Sequence, residues 1–283
     1  MISIILILLF VFSVLSVPVC HGVISGLYLY GMKIFPGLFI SFILTNILVR
    51  ILQQKNINNP WILVITGLMT GFPNGAYICS WYNKNNPKNR LGDMLAGIIN
   101  IPSPAFLISY VYINILEKCI SLPMFLALTY TPVILCSYMA ILLFRDKDNK
   151  KDNAPHIKND KKLIFHFFEE AVDSSINTAL KLGAYVIIFS VIVNIIMHFS
   201  QSNTAGLLIS YLFEISNGLA IIKNAGIPMN ITVLLTVLLD AFGGVCIIMQ
   251  TKSICSSYIS IKKYIYQKLV LLSLIHISEP HET

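Results

Sequence analysis

Gly71-Phe72-Pro73-Asn74-Gly75 and Phe213-Glu214-Ile215-Ser216-Asn217-Gly218 interrupt strongly apolar segments with helix-breaking and polar residues. Each is followed along the chain by a second interrupted apolar segment. The first of these holds Asn100-Ile101-Pro102-Ser103-Pro104, and the second holds Asp240-Ala241-Phe242-Gly243-Gly244. A backbone polar group left unpaired in hydrocarbon costs several kcal/mol, so a broken helix survives in a membrane only where it faces protein or a wet cavity. Paired interruptions in two halves of a chain are the sequence pointer to a secondary-transporter type of fold.

Composition points the same way. The 283 residues are 56% hydrophobic and only 12% charged, against roughly 25% charged in a soluble domain. Mean hydropathy is +0.75. The net charge of +7 sits in short loops between apolar runs, which is the placement of topology signals and excludes a nucleic-acid reading. Six cysteines (20, 79, 119, 136, 246 and 255) fall singly in apolar surroundings without metal or disulfide spacing, so they read as membrane-core thiols. No nucleophile–base set, P-loop, zinc spacing or nucleotide fingerprint occurs. The expectation is therefore not an enzyme, with no cofactor, no metal site and no catalytic residue.

Apolar spans are expected at Met1–Val19, Ile34–Ile51, Ile120–Phe144 and Gly183–Phe199. Split apolar segments cover Pro60–Tyr82, Ala96–Leu116, Ala205–Ile222 and Ile231–Gln250. Arg145–Lys162 reads as a Lys-rich loop and Leu163–Ala179 as an amphipathic interfacial helix carrying Glu169, Glu170 and Asp173. If every apolar segment crosses, Lys84, Lys88 and Arg90 fall opposite Arg50 and Lys55. If Pro60–Tyr82 and Ala205–Ile222 are re-entrant hairpins, all of these, the 145–162 loop and the 252–268 tail share one face. The positive-inside rule selects the second arrangement, with that face cytoplasmic. The weakly charged face keeps Glu117 and Lys118, His198–Asn203, and the stretches around Lys33 and Lys223. The two halves are then inverted repeats of helix, re-entrant hairpin and broken helix in an all-α polytopic membrane protein.

Leu272–Thr283 resembles the translation of a sequencing adapter, so a natural continuation after Leu271 is expected, the competing reading being a short native polar tail.

Phe35-Pro36-Gly37-Leu38-Phe39, Gly71-Phe72-Pro73-Asn74-Gly75-Ala76, Pro102-Ser103-Pro104, Glu214-Ile215-Ser216-Asn217-Gly218 and Phe242-Gly243-Gly244 with Gln250 occur in that order. Over roughly residues 30 to 265 this set resembles the YlbJ-type sporulation integral membrane proteins of the nucleoside-recognition (Gate) domain family. Asp240 and Asn74 depart from that pattern. The resemblance implies a relation to nucleoside-transporter-like gate domains, a multi-pass location in the bacterial cell membrane, and a role in spore formation. The chain then divides into an N-terminal transmembrane helix and connection (1–33), a first gate repeat (34–144), a cytoplasmic basic loop and amphipathic helix (145–180), a second gate repeat (181–271) and the adapter-like tail (272–283). Expected partners are the lipid bilayer, a small polar solute such as a nucleoside or ion, and either further copies or sporulation membrane proteins. A non-transporting scaffold for spore envelope or cortex assembly is the rival class.

Asn74, Gly75, Ser103, Glu214, Asn217 and Asp240 are the candidate ligand-binding residues. Glu214 and Asp240 stand out because ionisable groups inside a span are expensive. Each is weighed between a ligand, proton or cation role and a bond to nearby backbone. Gly71, Pro73, Pro102, Pro104, Gly218, Gly243 and Gly244 are expected to form turns or hinges. Lys33 and Lys181 read as snorkelling anchors and Gln250 as interfacial. The interrupted stretches are expected to converge on one polar cavity.

Overall fold

The computed structural model describes residues 2–54, 59–86, 90–144, 161–200, 204–255 and 258–277, and among them every regular element is helical. Lys55, Lys88, the 145–160 part of the basic loop, residues 201–203 and residues 278–283 lie outside the described residues. Among the described residues, four stretches are long and apolar enough to cross a bilayer: Leu91–Ile115, Leu122–Leu143, Phe168–Ser200 and Met229–Cys255. A fifth exists if Ser16–Ile34 and Leu38–Leu52, bent by 57°, form one span. The outer surface displays Phe10, Met32, Ile40, Leu143, Leu180 and Phe199. So many large apolar side chains on the outside depart from the soluble pattern. The chain is an all-α, multi-pass membrane protein.

The N-terminal region departs from expectation. Helix α1 (Ile2–Val14) ends at Leu15, and α2 (Ser16–Tyr28) continues through a π-helical turn, Leu29–Ile34, into α3 (Phe35–Gln54). Residues 20–33, expected as a connection, are therefore helix. The reason is packing: Gly22 and Gly26 face α9 (Lys161–Ser200), and a Cβ on Gly26 would sit 2.8 Å from the Ile187 Cα. Small residues four apart let two helix backbones approach closely where lipid offers no hydrophobic drive. Helix α9 is also longer than expected, running through the 180/181 boundary without a break. No Pro or Gly interrupts Leu163–Leu182, and the Ser175 and Thr178 hydroxyls bond back to the Ala171 and Ser174 carbonyls. Its 40 residues reach about 60 Å, twice the hydrocarbon thickness.

The expected breaks are present. Helix α4 (Pro60–Thr70) starts with Pro60 at its first position and the Asn59 side chain accepting from the Trp61 N–H at 3.0 Å. It stops at Gly71, φ +72, and α5 (Asn74–Asn85) starts after Pro73. At 11 and 12 residues each arm is about 17 Å long, too short to span. Arg50 at the end of α3 and Lys84 at the end of α5 line one cavity. Helix α6 (Leu91–Ile99) breaks at Asn100–Ser103, where Ser103 caps α7 (Pro104–Phe106), which widens into a π-helix over Leu107–Ile115. Helix α8 (Leu122–Phe144) closes the first half.

The second half repeats the order. Helices α10 (Thr204–Phe213) and α11 (Ile215–Asn224), 10 residues each, meet at Glu214. Helices α12 (Met229–Phe242) and α13 (Gly244–Cys255) meet at Gly243, φ +81, and α14 (Ile261–Ile277) follows. The halves interlock reciprocally: α11 packs on the Leu107–Ile115 segment and α5 packs on α13. One continuous core joins them, with Ile99, Phe125, Leu219, Val237, Tyr264 and Leu271 among its buried members. Helix α14 continues through Leu272 to Ile277, and Ile275 is buried.

Charged contacts sort onto two ends. At one end Arg50 pairs with Glu170, Asp93 takes Lys263 at 3.2 Å and the Ser260 N–H at 2.9 Å, and Asn83 donates to the Tyr258 carbonyl. At the other, Lys223 pairs with Glu117 at 2.8 Å and donates to the Asn114 carbonyl.

Candidate functional site

A cavity of about 170 Å³ lies where three of the four interrupted stretches meet. Phe72 from the α4–α5 tip, Pro102 and Ser103 from the α6–α7 break, and Glu214 to Ser216 from the α10–α11 tip line it together. Glycine makes this approach achievable. A Cβ on Gly71 would collide with the Ser103 backbone nitrogen, and one on Gly218 would stand 2.7 Å from the Tyr211 carbonyl. The halves touch across the cavity, where the Tyr110 hydroxyl donates to the Ser216 carbonyl at 3.3 Å. Phe72, Phe106 and Tyr110 form an aromatic wall with successive centroids 6.5 and 5.2 Å apart.

Glu214 is only 2% exposed, and its Oε2 accepts from the Asn217 N–H at 2.7 Å. The carboxylate therefore caps α11 at its positive end, while the residue lines the cavity. Ser103 lines the cavity while its hydroxyl accepts from the Phe106 N–H at 3.4 Å.

The remaining candidates are placed differently. Asn74 is buried beside the cavity, its Nδ2 3.5 Å from the Oγ of Ser41, which does line it. Gly75 does not line the cavity and is closely packed: a Cβ there would stand 2.7 Å from the Ile99 carbonyl. Asn217 gives its backbone N–H to Glu214, while its side-chain Nδ2 is buried without a partner. Asp240 does not reach the cavity. It is fully buried with both carboxyl oxygens unpartnered, and its electrostatic neighbours are Tyr130 of α8 and Tyr211 of α10. The left-handed turn at Gly243 separates its helix from α13, so Ile247 and Gln250 of α13 line the cavity in its place. Gln250, expected at the interface, is 3% exposed, and Lys33, expected as an anchor, stands at the cavity rim.

Sequence reasoning missed the group that ties the two breaks together. Lys268 of α14, expected in the basic 252–268 tail, is 0% exposed. Its ammonium donates to the Asn100 carbonyl at 2.5 Å and to the Ala241 carbonyl at 2.7 Å. Both carbonyls end a half-helix, where the macrodipole is negative, so one lysine nitrogen satisfies acceptors at two helix C-termini. Asn100 extends the junction: its Oδ1 accepts from the Ala76 N–H at 3.2 Å, and its Nδ2 donates to Tyr264 at 2.8 Å and Thr251 at 3.2 Å. The available signal was a lysine inside the largely apolar run Ile265–Leu272, read as tail charge when it is a buried side chain. Among the described residues no cluster of His, Cys, Asp and Glu has the makings of a metal site.

Comparison with protein-family models, curated proteins and solved structures finds no match for the chain.

Proposed function

We propose that this protein moves or senses a small polar solute across the bacterial cell membrane, using two inverted repeats of helix, re-entrant hairpin and broken helix. One observation carries the reading: stretches as far apart as Phe72 and Glu214 line a single cavity at helix interruptions, its wall mostly apolar instead of polar as expected, with Glu214 buried in it beside Ser41, Ser103 and Gln250. Interrupted helices at membrane depth expose backbone donors and acceptors, and a half-helix N-terminus adds partial positive charge. The Arg50, Lys84 and Lys263 end faces the cytoplasm by the positive-inside rule. The spore-formation setting and the kinship to gate domains rest on the ordered motifs alone.

The cavity volume of about 170 Å³ is below the roughly 300–1,000 Å³ of drug-sized ligand pockets. In this conformation it fits an ion or small solute, and a nucleoside requires a hairpin tip to swing out. Purified full-length protein is screened for metabolites and salts that raise its thermal stability, and positives are tested for uptake into proteoliposomes. Glu214→Gln and Ser103→Ala are expected to abolish the stabilisation while leaving the folded fraction unchanged. Sporulation is scored in parallel with Glu214→Ala and Asn74→Ala. Normal sporulation with both replacements, and no stabilising solute, would favour the envelope scaffold.

A further inference from the structure

A second cavity, of about 360 Å³, opens at the basic end, walled by α5 together with α3, α9 and α13, which also line the first. On α3 the lining passes from Ser41 in the first cavity to Asn46 and Arg50 in the second. On α9 it passes from Leu182 to Ser174, and on α13 from Gln250 to Ile254. Those steps of five, eight and four residues, by subtraction, correspond to a septum of roughly 6–12 Å along the helix axes. Asn74 and Ser41 meet within it, and Phe42 and Thr45 are 1% exposed there. The two cavities lie end to end on one seam.

Their chemistry differs. The second cavity carries Arg50 and Lys84, with Tyr77, Tyr258, Asn46 and Ser80 offering hydrogen bonds, and none of the described residues lining it is Asp or Glu. Glu170 engages Arg50 without lining the cavity. A recess lined by one sign of charge between low-dielectric walls concentrates ions of the opposite sign. A guanidinium and an ammonium lining one recess suit oxyanions, the planar fork giving direction and the ammonium giving point charge.

We propose that this cavity binds the phosphate or carboxylate group of a small anionic ligand, as a station on the route that leads to Glu214. The route itself rests on the solute-moving reading above; the anion site does not. The binding group belongs either to a free solute or to an anionic lipid headgroup reaching in from the membrane surface.

Trp81 lines this cavity and the chain has 2 tryptophans, so Trp61→Phe leaves one local reporter. Full-length protein in nanodiscs of neutral lipid is titrated with inorganic phosphate at constant ionic strength, following Trp81 emission. A saturable change is expected, weakened about tenfold by Lys84→Gln, the order set by losing one charge-assisted hydrogen bond. Lys84 is exposed, so that variant keeps the fold, which its thermal unfolding profile verifies. A second series without phosphate replaces part of the lipid by phosphatidylglycerol. A Lys84-dependent response only there assigns the site to a lipid headgroup; a response to phosphate assigns it to a soluble anion. No response in either series, or one that Lys84→Gln leaves intact, overturns the proposal. Glu214→Gln is expected to retain the phosphate response while losing solute movement, so failure of the anion site and failure of the transport reading give different results.

Discussion

Replacing Lys268 by Met tests whether one buried lysine joins the two halves. Lys268 is fully buried, and its ammonium is held by the Asn100 and Ala241 carbonyls at 2.5 and 2.7 Å. Methionine preserves length and apolar volume but leaves both acceptors without a donor. Each buried acceptor so orphaned costs about 1–3 kcal/mol. Part of that total is offset, because the ammonium no longer has to be kept out of water. A net loss of about 2–4 kcal/mol is expected. Tyr264→Phe is the graded control: it removes only the hydroxyl that accepts from Asn100 Nδ2 at 2.8 Å, an expected loss of about 1 kcal/mol. Unfolding in mixed micelles, titrated with a denaturing detergent and followed by helical content, measures both variants against the parent. Lys268→Met should unfold well before Tyr264→Phe, which should unfold before the parent. A Lys268→Met midpoint equal to that of the parent would refute the bridging role.

Gly75→Val is expected to prevent folding, because the new Cβ would lie 2.7 Å from the Ile99 carbonyl and 3.0 Å from the Asn100 Cα, both backbone atoms that cannot yield cheaply; a monodisperse, parent-like yield of the variant would show the hairpin packs otherwise. At the less basic end, the Lys223 ammonium hydrogen-bonded to Glu117 holds that carboxyl below the usual carboxylate range. A lowered folded value means stabilisation that is fully present above the unfolded pKa, near 4.5, and is lost as pH falls through the folded value. Parent and Glu117→Gln unfolding curves are therefore expected to differ at neutral pH and low salt and to converge on acidification; a gap that widens below pH 4 would contradict the pairing.

The chain alone was enough to reveal a membrane protein built around interrupted helices. The breaks at Gly71–Pro73, Asn100–Ser103, Glu214 and Gly243 fall where Gly, Pro and capping side chains forbid a continuous helix, and such effects are local. Charge placement also carried information, since Arg50 and Lys84 share one cavity while Glu117 and Lys223 pair at the other end. What stayed hidden depends on neighbours remote in sequence. Whether Gly22 and Gly26 lie in a connection or a packed helix depends on α9 arriving beside them. Asp240 and Gln250 belong to the same broken helix, yet the turn at Gly243 keeps the carboxyl with Tyr130 and Tyr211 and brings the amide to the cavity. Lys268 reads as one more tail lysine until tertiary packing sets it between two helix C-termini. Hydropathy tells which residues leave water; only the packed structure determines which partner a buried charge finds there.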